Sequence, residues 1–134
     1  MPDSHWSDSI DVAITVCDRE GIVVAMNEKS KRTFARDGGG ALVGTSLFDC
    51  HAPESAETIR RLMDEDATHT YTVEKNGVTK LICQTPWYED GAVAGLVELS
   101  IVLPNAMPHR VRQAAGAPYP QHAGRGAGDG RPPR

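Results

Sequence analysis

Cys50 and His51 put a thiol and an imidazole side by side, within the stretch Gly44-Thr45-Ser46-Leu47-Phe48-Asp49-Cys50-His51-Ala52-Pro53-Glu54-Ser55. Pro53 suits the first turn of a helix, where its missing N–H is not needed, so the pair stands at a helix start. Two chemistries fit such a pair. A neutral imidazole or a thiolate can ligate iron or another metal. A thiol near a helix N-terminus can become reactive and serve as a redox sensor. The plain alternative is structural: Cys50 packs as a small apolar residue, His51 hydrogen-bonds near the helix end, and Asp49 lies near the positive end of the dipole.

Other reactive-looking groups carry less. Asp64-Glu65-Asp66 is a solvated helix end, since Ca²⁺ loops need spaced oxygen ligands rather than a run. Gly38-Gly39-Gly40 lacks the Lys and Ser/Thr of a phosphate loop and reads as a hinge. His69 has no metal-spaced partner, although with Tyr71 it could reach a ligand from a sheet. No glycine elbow or Ser/His/Asp order suggests a hydrolase. The chain is therefore read as non-enzymatic, with a thiol redox protein or small pocketed enzyme using Cys50 and His51 as the alternative.

The pair must be held by a small body. The chain has 134 residues and a net charge of −4, room for one domain with a modest core. Residues 104–134 hold five arginines and one aspartate, a balance of +4, which leaves −8 on residues 1–103. An acidic body is a poor nucleic-acid surface, so no nucleic-acid partner is expected. No segment approaches the roughly 18 apolar residues of a membrane span, and no leader pattern opens the chain; the expectation is a cytoplasmic protein without a membrane partner. Cys17, Cys50 and Cys83 cannot all pair within one chain and form no Cys-x-x-Cys couple, so free thiols are expected.

Periodicity then places the elements. Residues 1–9 read as a flexible start. Asp11–Cys17 alternates with period two, Asp18-Arg19-Glu20-Gly21 supplies a turn, and Ile22–Met26 returns as the second strand of a hairpin. Asn27 is an N-cap for a short helix over Glu28–Phe34. After Pro53, Ala56, Ile59, Leu62 and Met63 recur at helical spacing and predict an amphipathic helix of about three turns. Thr68–Lys75, Val78–Trp87 and Ala92–Leu103 predict three consecutive antiparallel strands, joined at Asn76-Gly77 and Glu89-Asp90-Gly91. Alternation groups Tyr71 with Val73, Leu81 with Cys83 and Thr85, and Val97 with Leu99 and Ile101 opposite Glu98 and Ser100; these sets are expected to line a common interior. Six prolines and five glycines leave residues 104–134 as a disordered tail.

The run from Ile14 to Asn27, Ile-Thr-Val-Cys-Asp-Arg-Glu-Gly-Ile-Val-Val-Ala-Met-Asn, resembles the opening of a PAS domain. Leu42-Val43-Gly44-Thr45-Ser46-Leu47-Phe48 is similar to that family's entry to its central helices, and the resemblance covers about residues 10–103. Within the family, Cys50-His51-Ala52-Pro53-Glu54-Ser55 is similar to the Cys-His-Pro-Pro-x-Ser segment of hemerythrin-associated PAS-like domains, with Ala52 in place of the first proline.

The resemblance implies an α+β fold, PAS-like, with a five-stranded antiparallel sheet and helices covering one face. It implies a bacterial-type sensor in signal transduction that binds a small-molecule ligand or cofactor between them. The candidate ligand-binding residues are Cys50, His51, Phe48, Ile59, Met63, Tyr71, Cys83 and Leu99. Haem is the candidate cofactor, with His51 as the metal ligand. The flavin-binding Asn-Cys-Arg-Phe-Leu-Gln segment is absent, and Glu54 stands where photoactive yellow protein has its chromophore cysteine after an Ala-Pro pair. Ser100-Ile101-Val102-Leu103-Pro104 meets a proline where many PAS domains lead into a signalling helix. The expected partners are therefore a separate signalling protein or a second copy in a homodimer.

Overall fold

The structure is a computed structural model of the chain and describes residues 5–113. A short helix α1 (His5–Ser9) leads into strands β1 (Ala13–Asp18) and β2 (Val23–Met26). Helix α2 (Glu28–Thr33) follows, then 3₁₀ turns over Ala35–Asp37 and Gly39–Leu42, then helices α3 (Leu47–Cys50) and α4 (Pro53–Glu65). Three long strands complete the body: β3 (His69–Lys75), β4 (Val78–Glu89) and β5 (Ala92–Leu103). The five strands form one sheet in the order β2-β1-β5-β4-β3, and every pair in it is antiparallel.

Local chemistry explains these boundaries. Asn76 and Gly77 have φ of 55° and 78°, and Asp90 and Gly91 have 53° and 80°. Positive φ at both central residues is the two-residue hairpin geometry whose twist matches the flanking strands. Ser46 caps α3 by accepting from the Phe48 N–H at 3.1 Å, and Pro53 opens α4. Asp66, at φ 53°, closes α4 in the left-handed conformation.

Asn27 joins three elements at once. Its Oδ1 accepts from the backbone N–H of Ser30 (3.0 Å) and of Ile14 (2.9 Å), while its Nδ2 donates to the carbonyls of Ser7 (2.8 Å) and Val12 (2.7 Å). The amide is buried, and every hydrogen-bonding atom it owns is engaged. The tie to Ser7 helps account for a helix within residues 1–9, where the sequence predicted only a flexible start.

The core lies between α4 and the sheet. Ile59, Leu62 and Met63 of α4 pack with Cys17 of β1 and Leu96 of β5, flanked by Leu47, Phe48, Ala67 and Val93. The predicted amphipathic face of α4 is the buried one: Ala56, Ile59, Leu62 and Met63. At Gly95 the strands come so close that an added Cβ would collide with the Cys17 carbonyl oxygen and lie 2.6 Å from Trp87 Nε1. Trp87 Nε1 donates to that same carbonyl at 3.0 Å.

The sheet presents the opposite face from the one predicted. Cys17 pairs with Leu96 and Thr15 with Glu98, while Glu98 pairs with Gln84 and Ser100 with Ile82. The helices therefore look onto Ala13, Thr15, Cys17, Leu96, Glu98, Ser100, Ile82 and Gln84. Leu81, Cys83, Thr85, Val97, Leu99 and Ile101 point the other way, each half-buried. The physical reason is that β4 and β5 carry apolar side chains on both faces, so alternation alone does not choose between them. Register with β1, whose Cys17 sits beneath α4, makes the choice.

Residues 104–113 run as exposed chain without helix or strand, and 114–134 of the predicted tail lie outside the described residues.

Candidate functional site

A cavity of about 420 Å³ opens between the inner face of the sheet and the connecting helices, within the usual range for small-molecule sites. Cys17 of β1, Val23 and Met26 of β2, Leu96 of β5 and Ile59 of α4 form its buried apolar wall. Phe34, Leu42 and Leu47 add half-buried apolar surface from the segment between β2 and α4. Asp37, Thr45 and His51 are exposed and mark the mouth.

A polar row crosses the sheet floor. Thr15 on β1, Glu98 on β5, Gln84 on β4 and His69 on β3 follow one another in register, and the first three line the cavity. Gln84 Nε2 donates to Glu98 Oε1 at 3.0 Å. That leaves Gln84 Oε1 as the acceptor 3.3 Å from His69 Nδ1, so this ring nitrogen carries the proton. At the far end the hydroxyls of Thr15 and Ser30 share a short hydrogen bond. Among the described residues no buried side-chain nitrogen or oxygen lacks a partner, and an arrangement satisfied to this degree holds its members in place.

The predicted site residues are distributed as follows. His51 and Ile59 line the cavity. Phe48 and Met63 lie next to it in the core; the Arg60 guanidinium sits 3.9 Å from the Phe48 ring centroid, and Gly21 packs against the ring edge. Tyr71 is on the inner-facing register of β3 but stands exposed on the edge strand, its ring 4.8 Å from that of His69 and outside the cavity lining. Partial desolvation of the phenol against the sheet, then the Glu98 charge, holds it above the usual pKa. Cys83 and Leu99 lie on the opposite face of the sheet, a correction that follows from the register. Cys50 ends α3, and its side chain lies outside the described residues.

Sequence reasoning passed over Glu98, Gln84, Thr15 and Asp37. The available signal was a polar residue in the middle of each long strand, Gln84 between Cys83 and Thr85 and Glu98 between Val97 and Leu99. Placing Cys83, Thr85, Val97 and Leu99 inward by alternation turns both of them away from the helices.

His51 Nδ1 donates to the Leu47 carbonyl at 2.9 Å, a bond that orients the ring at the end of α3. The rest of the lining does not fit haem. Haem carries two carboxylates of its own, whereas the cavity offers Asp37 and Glu98 and, among its described lining residues, no Lys or Arg. Nor do three or more His, Cys, Asp or Glu converge on a metal position among the described residues.

The chain belongs to the PAS fold family, whose model matches residues 7–103. A search of curated proteins finds no match. Among solved structures, the PAS domain of the histidine kinase ThkA superposes with a TM-score of 0.55 at 14% identity, covering 67% of this chain and 97% of that one. VqmA of Vibrio cholerae, described as a dimer, gives 0.62 at 14% identity, covering 84% of this chain and 57% of its own, so the present chain spans little over half of its length. The Aer2 receptor of Vibrio cholerae, described as a dual PAS-heme oxygen sensor, gives 0.54 at 13% identity, covering 69% and 95%. At such identities the likeness is one of fold.

Proposed function

We propose that this PAS domain is a sensory module that admits one small molecule into the cavity and passes the resulting change to a partner. The observation that carries the reading is the cavity itself. It has a buried apolar wall, a polar row on its floor and an open mouth between Asp37 and His51. His51, Ile59 and Glu98 are the side chains assigned to the ligand, with Phe48 and Met63 supporting the wall from the core.

Output in this reading leaves through the other face of the sheet. Ile14, Val16, Leu81, Cys83, Val97, Leu99 and Ile101 form a half-buried apolar surface whose centre carries no charge, so a second copy of the chain can meet it without burying an unpaired ion. A dimer is also how VqmA, similar in fold, is described. Every strand of the sheet presents side chains to both faces, so a ligand that shifts Glu98 or Leu96 moves Val97 and Leu99 beside them.

Native mass spectrometry of the full chain, purified without denaturation, tests the reading. A small organic mass should accompany the wild-type chain and be lost when Leu96→Trp fills the cavity. A chain that emerges bare and also takes up none of a set of small apolar fragments overturns it.

A further inference from the structure

Resting on the reading of the cavity as a ligand site, we infer that its occupant is a small organic cation: a protonated amine, or a comparable charged N–H donor, on an apolar skeleton. The charged groups lining the cavity are the reason. Glu98 stands half-buried on the floor and Asp37 at the mouth, and no Lys or Arg is among the described lining residues. Neither carboxylate takes part in an ion pair among the described residues. A half-buried carboxylate without a cation costs free energy that a positively charged ligand recovers.

The geometry around Glu98 supports this assignment. Gln84 donates to one carboxylate oxygen, and Gln84 is itself held by His69. An ionised carboxylate has about four acceptor positions, so one hydrogen bond orients Glu98 while leaving capacity for an incoming donor. Thr15, its neighbour on β1, is committed to Ser30. The remaining wall, Val23, Met26, Phe34, Leu42 and Leu96, suits an apolar body. An anionic ligand would meet like charge at both the floor and the mouth, and a neutral one would leave the carboxylate unpaired.

Isothermal titration of the full chain with three probes of similar size separates these cases: 2-phenylethylamine, 2-phenylethanol and 3-phenylpropanoate. The amine should bind at least about tenfold more tightly than the alcohol, as a hydrogen bond to an ionised group allows, and the carboxylate least. Glu98→Gln keeps the shape and an acceptor for Gln84. It should cost the amine about tenfold or more while leaving the alcohol within about twofold, which also reports that the variant is folded. Asp37→Asn should weaken the amine less, because its carboxyl is in water. Equal or tighter binding of the alcohol or the carboxylate overturns the cation assignment and leaves the cavity reading standing. So does an amine affinity unchanged by Glu98→Gln. Failure of all three probes at millimolar concentration overturns both.

Discussion

Cys17 carries two duties in one residue. Its side chain is part of the buried core and of the cavity wall, while its carbonyl receives the Trp87 indole N–H. Burial pushes its thiol pKa up, with smaller contributions from Asp18 and Glu98. A raised acid pKa means that the fold prefers the neutral thiol. That preference is intact below the unfolded-state value of about 8.5 and is lost as pH climbs above it, because the unfolded chain ionises first. Wild type should therefore exceed Cys17→Ala in urea midpoint at pH 7, by a margin that narrows towards pH 10. A constant margin would count against a desolvated thiol. Asn27 shows what was legible at this scale. Its capping of α2 follows from residue type and position, whereas its ties to Ser7 and Val12 depend on segments brought together only by folding.

Helices and turns were more readable than sheet faces. The 3.6-residue period marks one buried side of α4 without ambiguity, and Asn76-Gly77 satisfies the positive φ values of its turn almost alone. The long strands gave no such guidance, since Leu81, Cys83 and Leu99 compete with Ile82 and Leu96 for the interior. A one-residue difference in facing exchanged the expected lining of Cys83 and Leu99 for Gln84 and Glu98. Such polar positions suit a cavity floor better than a packed core, which helps explain why an apolar-inward rule fails here. Gly95 is where the element-level account is most exposed. Gly95→Ala must move either the Cys17 carbonyl or the Trp87 indole, so a loss of about 3 kcal/mol or more is expected in chemical denaturation. A loss below about 1 kcal/mol would mean that the β1–β5 approach is looser than described.

At the scale of the whole molecule, one sheet separates a cavity from an apolar outer face. Two faces on one layer give a sensor a short route from ligand to partner, and they also set the surface on which a second copy is proposed. Leu99 lies at the middle of the outer face and is paired with Ile14 and Cys83 on either side. Leu99→Glu should shift sedimentation from dimer to monomer without unfolding the chain. A wild-type chain that is monomeric at high micromolar concentration removes the homodimer from the account. The sensory reading itself depends on the cavity, and amide-shift mapping of the ¹⁵N-labelled full chain during titration with a small ligand tests it most directly. Saturable shifts centred on Cys17, Met26, Ile59, Leu96 and Glu98 are predicted, whereas shifts confined to the outer face or to residues 104–113 would contradict it.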